Sequence, residues 1–142
     1  MNSAYNYLPL WATLMPILSA LPLFFIQRVS AKLRDVFAQL VIAVTVVLVA
    51  MMYPYIQTHE AIGVSFPRIL PPFGISFRVD LLGFLLALIA SVVWLLATIY
   101  SKAYMDHEGG GNKFYPFLLL SLGGCLGVFL TGDFFSLFVF FE

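Results

Sequence analysis

Charge is nearly absent from long stretches of this chain, and that absence restricts its folding more than any other feature. No Asp, Glu, Lys or Arg occurs from Met1 to Gln27, from Val36 to His59, from Leu81 to Ser101, or from Phe114 to Gly132. A fifth uncharged run follows Asp133 and stops at Glu142. An α-helix needs about 20 apolar residues to cross a hydrocarbon core of about 30 Å. Backbone polar groups must be satisfied internally in lipid, so each run is expected to be a helix. The spacing predicts an all-α integral membrane protein in a single membrane domain, residues 1–142. Helices are expected near 8–27, 36–55, 81–100 and 114–131, with a partial fifth at 133–142. Composition agrees: charged residues are 10% of the chain and hydrophobic ones 62%, against roughly 25% charged in soluble domains. Fourteen charges cannot coat a soluble globule of 142 residues. A free soluble enzyme, a disordered chain and a nucleic-acid binder are excluded, the last also because net charge is zero.

The connecting segments carry the orientation. Arg28, Lys32, Arg34, Lys102 and Lys113 fall in the first and third connections, and only Arg68 and Arg78 in the second. Lys/Arg bias then places the first and third connections in the cytoplasm and the N-terminus outside, in the cell's inner (plasma) membrane. All seven tyrosines fall at or just beyond the ends of apolar runs, as expected of headgroup anchors. The N-terminal residues Met1 to Tyr7 hold no positive charge, so the first run reads as a retained helix rather than a cleaved signal. Pro9, Pro16 and Pro22 predict a bent or irregular first helix. In the segment 60–80, Ile62, Val64 and Phe66 alternate with other residues, as do Ile75, Phe77 and Val79. Pro67 to Gly74 supplies the turn, so a short β-hairpin is expected on the outer face.

Few residues can carry chemistry. Glu142 lies nine residues beyond Asp133, about 13 Å into a helix that starts there, close to the bilayer midplane. Hydrocarbon disfavours a charged carboxylate, and acids retained at such depth mark ion or proton paths. Glu142 is therefore the expected proton relay; the plain alternative is a frayed terminus. Asp80 and Asp133 read as helix N-caps. Asp106, His107 and Glu108 read as a solvated loop beside Gly109 to Gly111, and no metal site is expected. His59 and Glu60 lack the second histidine of a zinc motif, and Gly109 to Lys113 lacks the ending of a phosphate loop. The single cysteine, Cys125, reads as a small buried packing residue. No catalytic or redox site, and no cofactor, is expected of this chain. Gly123 and Gly127 on the fourth helix, and Ala87 and Ser91 on the third, form small-residue faces for close helix packing.

Two stretches resemble a known family. One runs from Asp80-Leu81-Leu82-Gly83-Phe84 to Tyr100-Ser101-Lys102-Ala103-Tyr104-Met105. The other runs from Phe114-Tyr115-Pro116-Phe117 to Leu130-Thr131-Gly132-Asp133-Phe134-Phe135-Ser136-Leu137-Phe138-Val139-Phe140-Phe141-Glu142. Both are similar to the antiporter-like subunits shared by Mrp cation/proton antiporters, complex I and membrane-bound hydrogenases, and most to the MrpD type. The resemblance implies two inverted five-helix repeats and a glutamate on the fifth helix that pairs with a lysine on the seventh. Only the glutamate is carried over, onto Glu142. The chain then reads as the N-terminal portion of an ion-translocating subunit in a multisubunit complex. It has no redox centre of its own, and a place in a redox-driven oxidoreductase stays open. Its expected partners are the lipid bilayer and other membrane subunits, one of them supplying the remaining helices and relay lysines from a separate chain, unless the sequence is a truncated form. The alternative is a non-conducting scaffold. Neither the coupled ion nor the driving chemistry is readable from these residues.

Overall fold

The computed structural model describes residues 6–26, 28–59, 62–70, 73–108 and 111–142. Among them six helices and one hairpin follow in order: α1 (Leu8–Ile26), α2 (Ala31–Ala50), α3 (Tyr53–His59), β1 (Ile62–Leu70), β2 (Phe73–Val79), α4 (Leu81–Glu108), α5 (Gly111–Leu130) and α6 (Phe134–Phe141). Among the described residues four helices are long and apolar enough to cross a membrane: Leu8–Ile26, Ala31–Thr58, Leu81–Met105 and Lys113–Leu130. They close a ring in which α1 packs on α2 and α5, and α4 packs on the same two. The short α6 lies against α5. The core is a continuous cluster including Leu23, Ile42, Val49, Phe84, Leu119, Leu122 and Leu126. Large apolar side chains such as Leu82, Leu96, Phe117 and Phe25 point outward, as lipid rather than water requires.

Hydroxyl groups within the spans find backbone carbonyls of their own helices. Thr45 donates to Val41 at 2.9 Å and Thr98 to Trp94 at 2.7 Å. Ser91, fully buried beside Ala87, donates to Leu88 at 2.9 Å. Each bond removes a donor that hydrocarbon would leave unsatisfied.

Element ends differ from the sequence expectation in two places. The second apolar run is divided: α2 stops at Ala50, and α3 resumes at Tyr53. Pro54 has no N–H to donate to the preceding turn, and Met52 instead bonds the Val49 carbonyl at 3.0 Å in a tighter turn. The third helix does not end near Tyr100; it continues to Glu108. Asp106, His107 and Glu108 are therefore helical, not a loop. Their segment contains good helix formers and neither Gly nor Pro before Gly109. Twenty-eight residues make a helix of about 42 Å, so its last turns extend past a core of about 30 Å. Gly109 and Gly110 lie outside the described residues, as do Met1 to Tyr5, Gln27, Glu60 and Ala61. Helix α1 runs through Pro16 and Pro22 without interruption.

The hairpin is antiparallel, with Ile62 opposite Val79, Val64 opposite Phe77 and Ser65 opposite Ser76. Its register shifts between Phe66 and Leu70, where Pro67 interrupts the ladder donors of β1. Pro71 and Pro72 of the expected turn lie outside the described residues. Ile62, Phe77 and Val79 are buried and turn the hairpin's apolar face onto the bundle.

Candidate functional site

Helix α6 begins at a crowded junction with the hairpin. Asp133 has extended backbone and caps α6, its Oδ1 accepting from the Ser136 N–H at 2.6 Å. Its other oxygen accepts from the Ser76 hydroxyl of β2. Burial pushes the Asp133 carboxyl up, but hydrogen bonds from Ser76, Ser136 and the Phe135 N–H outweigh it and hold the carboxyl below its ordinary range. The segment before α6 extends the sheet: Thr131 bridges Phe77, and the Gly132 N–H donates to the Ser76 carbonyl at 2.9 Å. A Cβ on Gly132 would lie 2.7 Å from the Arg78 Cβ, so glycine permits this approach. Asp80 caps α4, accepting from the Gly83 N–H at 2.7 Å.

From this junction α6 runs back along α5. A Cβ on Gly127 would collide with the Phe140 ring, and one on Gly124 would lie 3.3 Å from the Phe140 carbonyl. Gly123 faces elsewhere, against Ile17 and the Thr13 carbonyl of α1. The two glycines of the expected small-residue face thus admit different neighbours. Four positions turn the helix by about 40° beyond a full turn, which suffices when α1 and α6 flank α5. Cys125 is half-buried rather than fully enclosed.

Glu142 closes α6, its N–H donating to the Phe138 carbonyl at 3.0 Å. It lines an open groove of about 530 Å³ with Leu120, Ser121, Gly124, Cys125, Val128 and Phe141 among its neighbours. Ser121 lies nine residues from the end of α5 at Leu130, about 13 Å at helical rise, or half the depth of an 18-residue span. The side chain of Glu142 is exposed toward this groove and not buried within the ring. Among the described residues no group of three or more His, Cys, Asp and Glu could hold a metal ion.

A second charged cluster was not expected. Because α2 starts at Ala31, Arg34 and Asp35 fall inside the helix and are buried rather than solvated. Their side chains pair at 2.7 Å, and the Arg34 Nε donates to Asp35 Oδ1 at 2.8 Å. The guanidinium lies 5.0 Å from the centre of the Tyr115 ring. Tyr115 is itself fully buried, so it is not the headgroup anchor its position near a segment end implies. The adjacent opposite charges at 34 and 35 were the available signal.

Known proteins resemble this chain across most of its length. The family model described as NADH-ubiquinone oxidoreductase (complex I), chain 5 N-terminus, matches residues 72–115. Proteins of Staphylococcus aureus strains MRSA252 and JH9, named as antiporter subunit mnhD2, are 31% identical over 129 residues, 91% of this chain. The chain spans 26% of the length of these relatives. A chain in the solved membrane-bound sulfane sulfur reductase, an archaeal respiratory membrane complex, superposes with a TM-score of 0.82 at 22% identity. That match covers 93% of this chain and 27% of the other, and shows the fold. The protein is a multi-pass membrane chain that resembles the N-terminal part of the antiporter-like subunits.

Proposed function

We propose, from this likeness to the N-terminal part of antiporter subunits, that the chain contributes to an ion-translocating module within a multisubunit membrane complex. Glu142 is its proton relay. The observation that carries the reading is the groove beside the middle of α5, where Glu142 stands among apolar side chains, Ser121 and Cys125. An acid at that depth has few uses other than to take up and release protons or to hold a cation. A basic residue from a partner helix in the groove favours its charged form, and withdrawal of that charge favours the neutral one. The experiment is cation-driven alkalinisation of everted vesicles holding the assembled complex. A signal that requires the carboxyl at position 142 supports the relay. Equal signals with and without it favour a scaffold that packs its neighbours and conducts nothing.

The same reading places the chain in the plasma membrane with its N-terminus outside. Five Lys/Arg in the first and third connecting regions, against Arg68 and Arg78 in the second, support that orientation. With Cys125 replaced by Ala, Ser65→Cys is expected to react with an impermeant thiol reagent in intact cells, and Ser30→Cys only after lysis. Labelling of position 30 but not 65 reverses the orientation.

A further inference from the structure

We propose that Ser76 and Asp133 are positioning residues that fasten the hairpin to the start of α6, so that the hairpin sets the depth and pitch of Glu142. The inference rests on the relay reading above. Ser76 commits every polar group it has to the junction. Its carbonyl accepts from Gly132, its N–H donates to Ser136 Oγ at 2.9 Å, and its hydroxyl donates to Asp133. Asp133 is consequently more than a cap: one carboxylate oxygen holds α6 and the other holds β2. Farther along, the Phe77 ring of β2 meets the Phe140 ring of α6 with centroids 5.7 Å apart. Two separated contacts, polar at the first turn and aromatic at the second, fix both the origin and the rotation of a helix. Helix α6 contains neither Gly nor Pro, so it transmits a displacement at Asp133 to Glu142, about 13 Å away, as a rigid rod.

The test uses the assembled complex with Ser76→Ala, Ser76→Thr, Asp133→Asn and, as a control across the hairpin, Ser65→Ala. Two quantities are read: amide hydrogen exchange over residues 134–141 and the pH midpoint of ion-coupled activity. Ser76→Ala and Asp133→Asn are expected to raise exchange about tenfold, as loss of one charge-assisted hydrogen bond implies. They should also move the midpoint by about half a unit, because a displaced acid meets a different environment. Ser76→Thr keeps the hydroxyl and should restore both, and Ser65→Ala should change neither. A fall in activity with an unmoved midpoint, unchanged exchange, or failure of threonine to rescue overturns the proposal. Asp133→Asn supplies the same readings if Ser76→Ala does not assemble. Should removal of the Glu142 carboxyl leave transport intact, the relay reading fails and exchange alone decides: a tenfold rise keeps the fastening, and no rise removes it.

Discussion

Glu142→Gln is expected to lower ion-coupled transport about a hundredfold or more, the scale of a lost proton-transfer group. Assembly of the complex should be unaffected. Glutamine keeps the length and shape of the side chain and still fits the groove lined by Leu120, Ser121, Gly124 and Cys125. What it loses is the ability to exist in two protonation states. Glu142→Asp retains that ability but withdraws the carboxyl by one methylene, so partial activity is expected. The measurement is the vesicle assay described above, normalised to the amount of complex recovered. A scaffold has no use for the titrating proton and would tolerate both changes equally.

The largest structural effects are expected where α5 receives its neighbours. A Cβ on Gly83 would lie 2.5 Å from the Phe129 carbonyl oxygen, and one on Gly127 would sit inside the Phe140 ring. Gly83→Val must separate α4 from α5 at the hairpin end, because the obstructing atom is backbone and cannot rotate away. Gly127→Leu must expel Phe140, and with it the segment that ends at Glu142. Overpacking of this kind costs about 1–3 kcal/mol per site and more when backbone must move. Each variant should lower the thermal midpoint of the assembled complex, and Gly127→Leu should also lose transport. Gly63→Ala is the contrasting change, since its new Cβ finds nothing nearer than the Phe77 carbonyl at 4.0 Å. It should be neutral within about 0.5 kcal/mol.

Much of this fold is legible in the sequence because lipid imposes a simple rule. Charge-free runs long enough to cross the membrane must be helices, and 81–101 and 114–132 fall largely within α4 and α5 for that reason. The hairpin is legible for a different reason, since Ile62, Val64, Phe77 and Val79 alternate with residues that face away. Helix ends are less legible. Charge marks where a span leaves hydrocarbon, whereas a helix stops where its backbone is interrupted. Lys102 to Glu108 meets the first condition and not the second, so α4 continues through it. Pro54 meets the second and not the first, so an apolar run breaks there.

The site divides along similar lines. Glu142 announces itself as a lone acid after an apolar run. The fastening of Ser76 to Asp133 does not, because the two are 57 residues apart and serine in a strand carries no pattern of its own. Arg34 and Asp35 were hidden by their neighbours. Beside Arg28 and Lys32 they read as part of a solvated basic patch, and only the packing of Tyr115 over the guanidinium buries them. Asp133 was legible by half: its spacing before Phe134 predicts the cap, and nothing in the sequence predicts the second partner.

If Glu142 is a protonatable acid on the path of the transported ion, a hydrophobic carbodiimide should find it, because such reagents couple to protonated carboxyls in apolar surroundings. The assembled complex is treated with the reagent and the adduct is located by mass spectrometry. Modification is expected at Glu142 and not at Asp80 or Asp133, with transport lost in proportion to the fraction modified and partial protection by a saturating coupled cation. Complete modification of Glu142 with transport undiminished would remove it from the ion path.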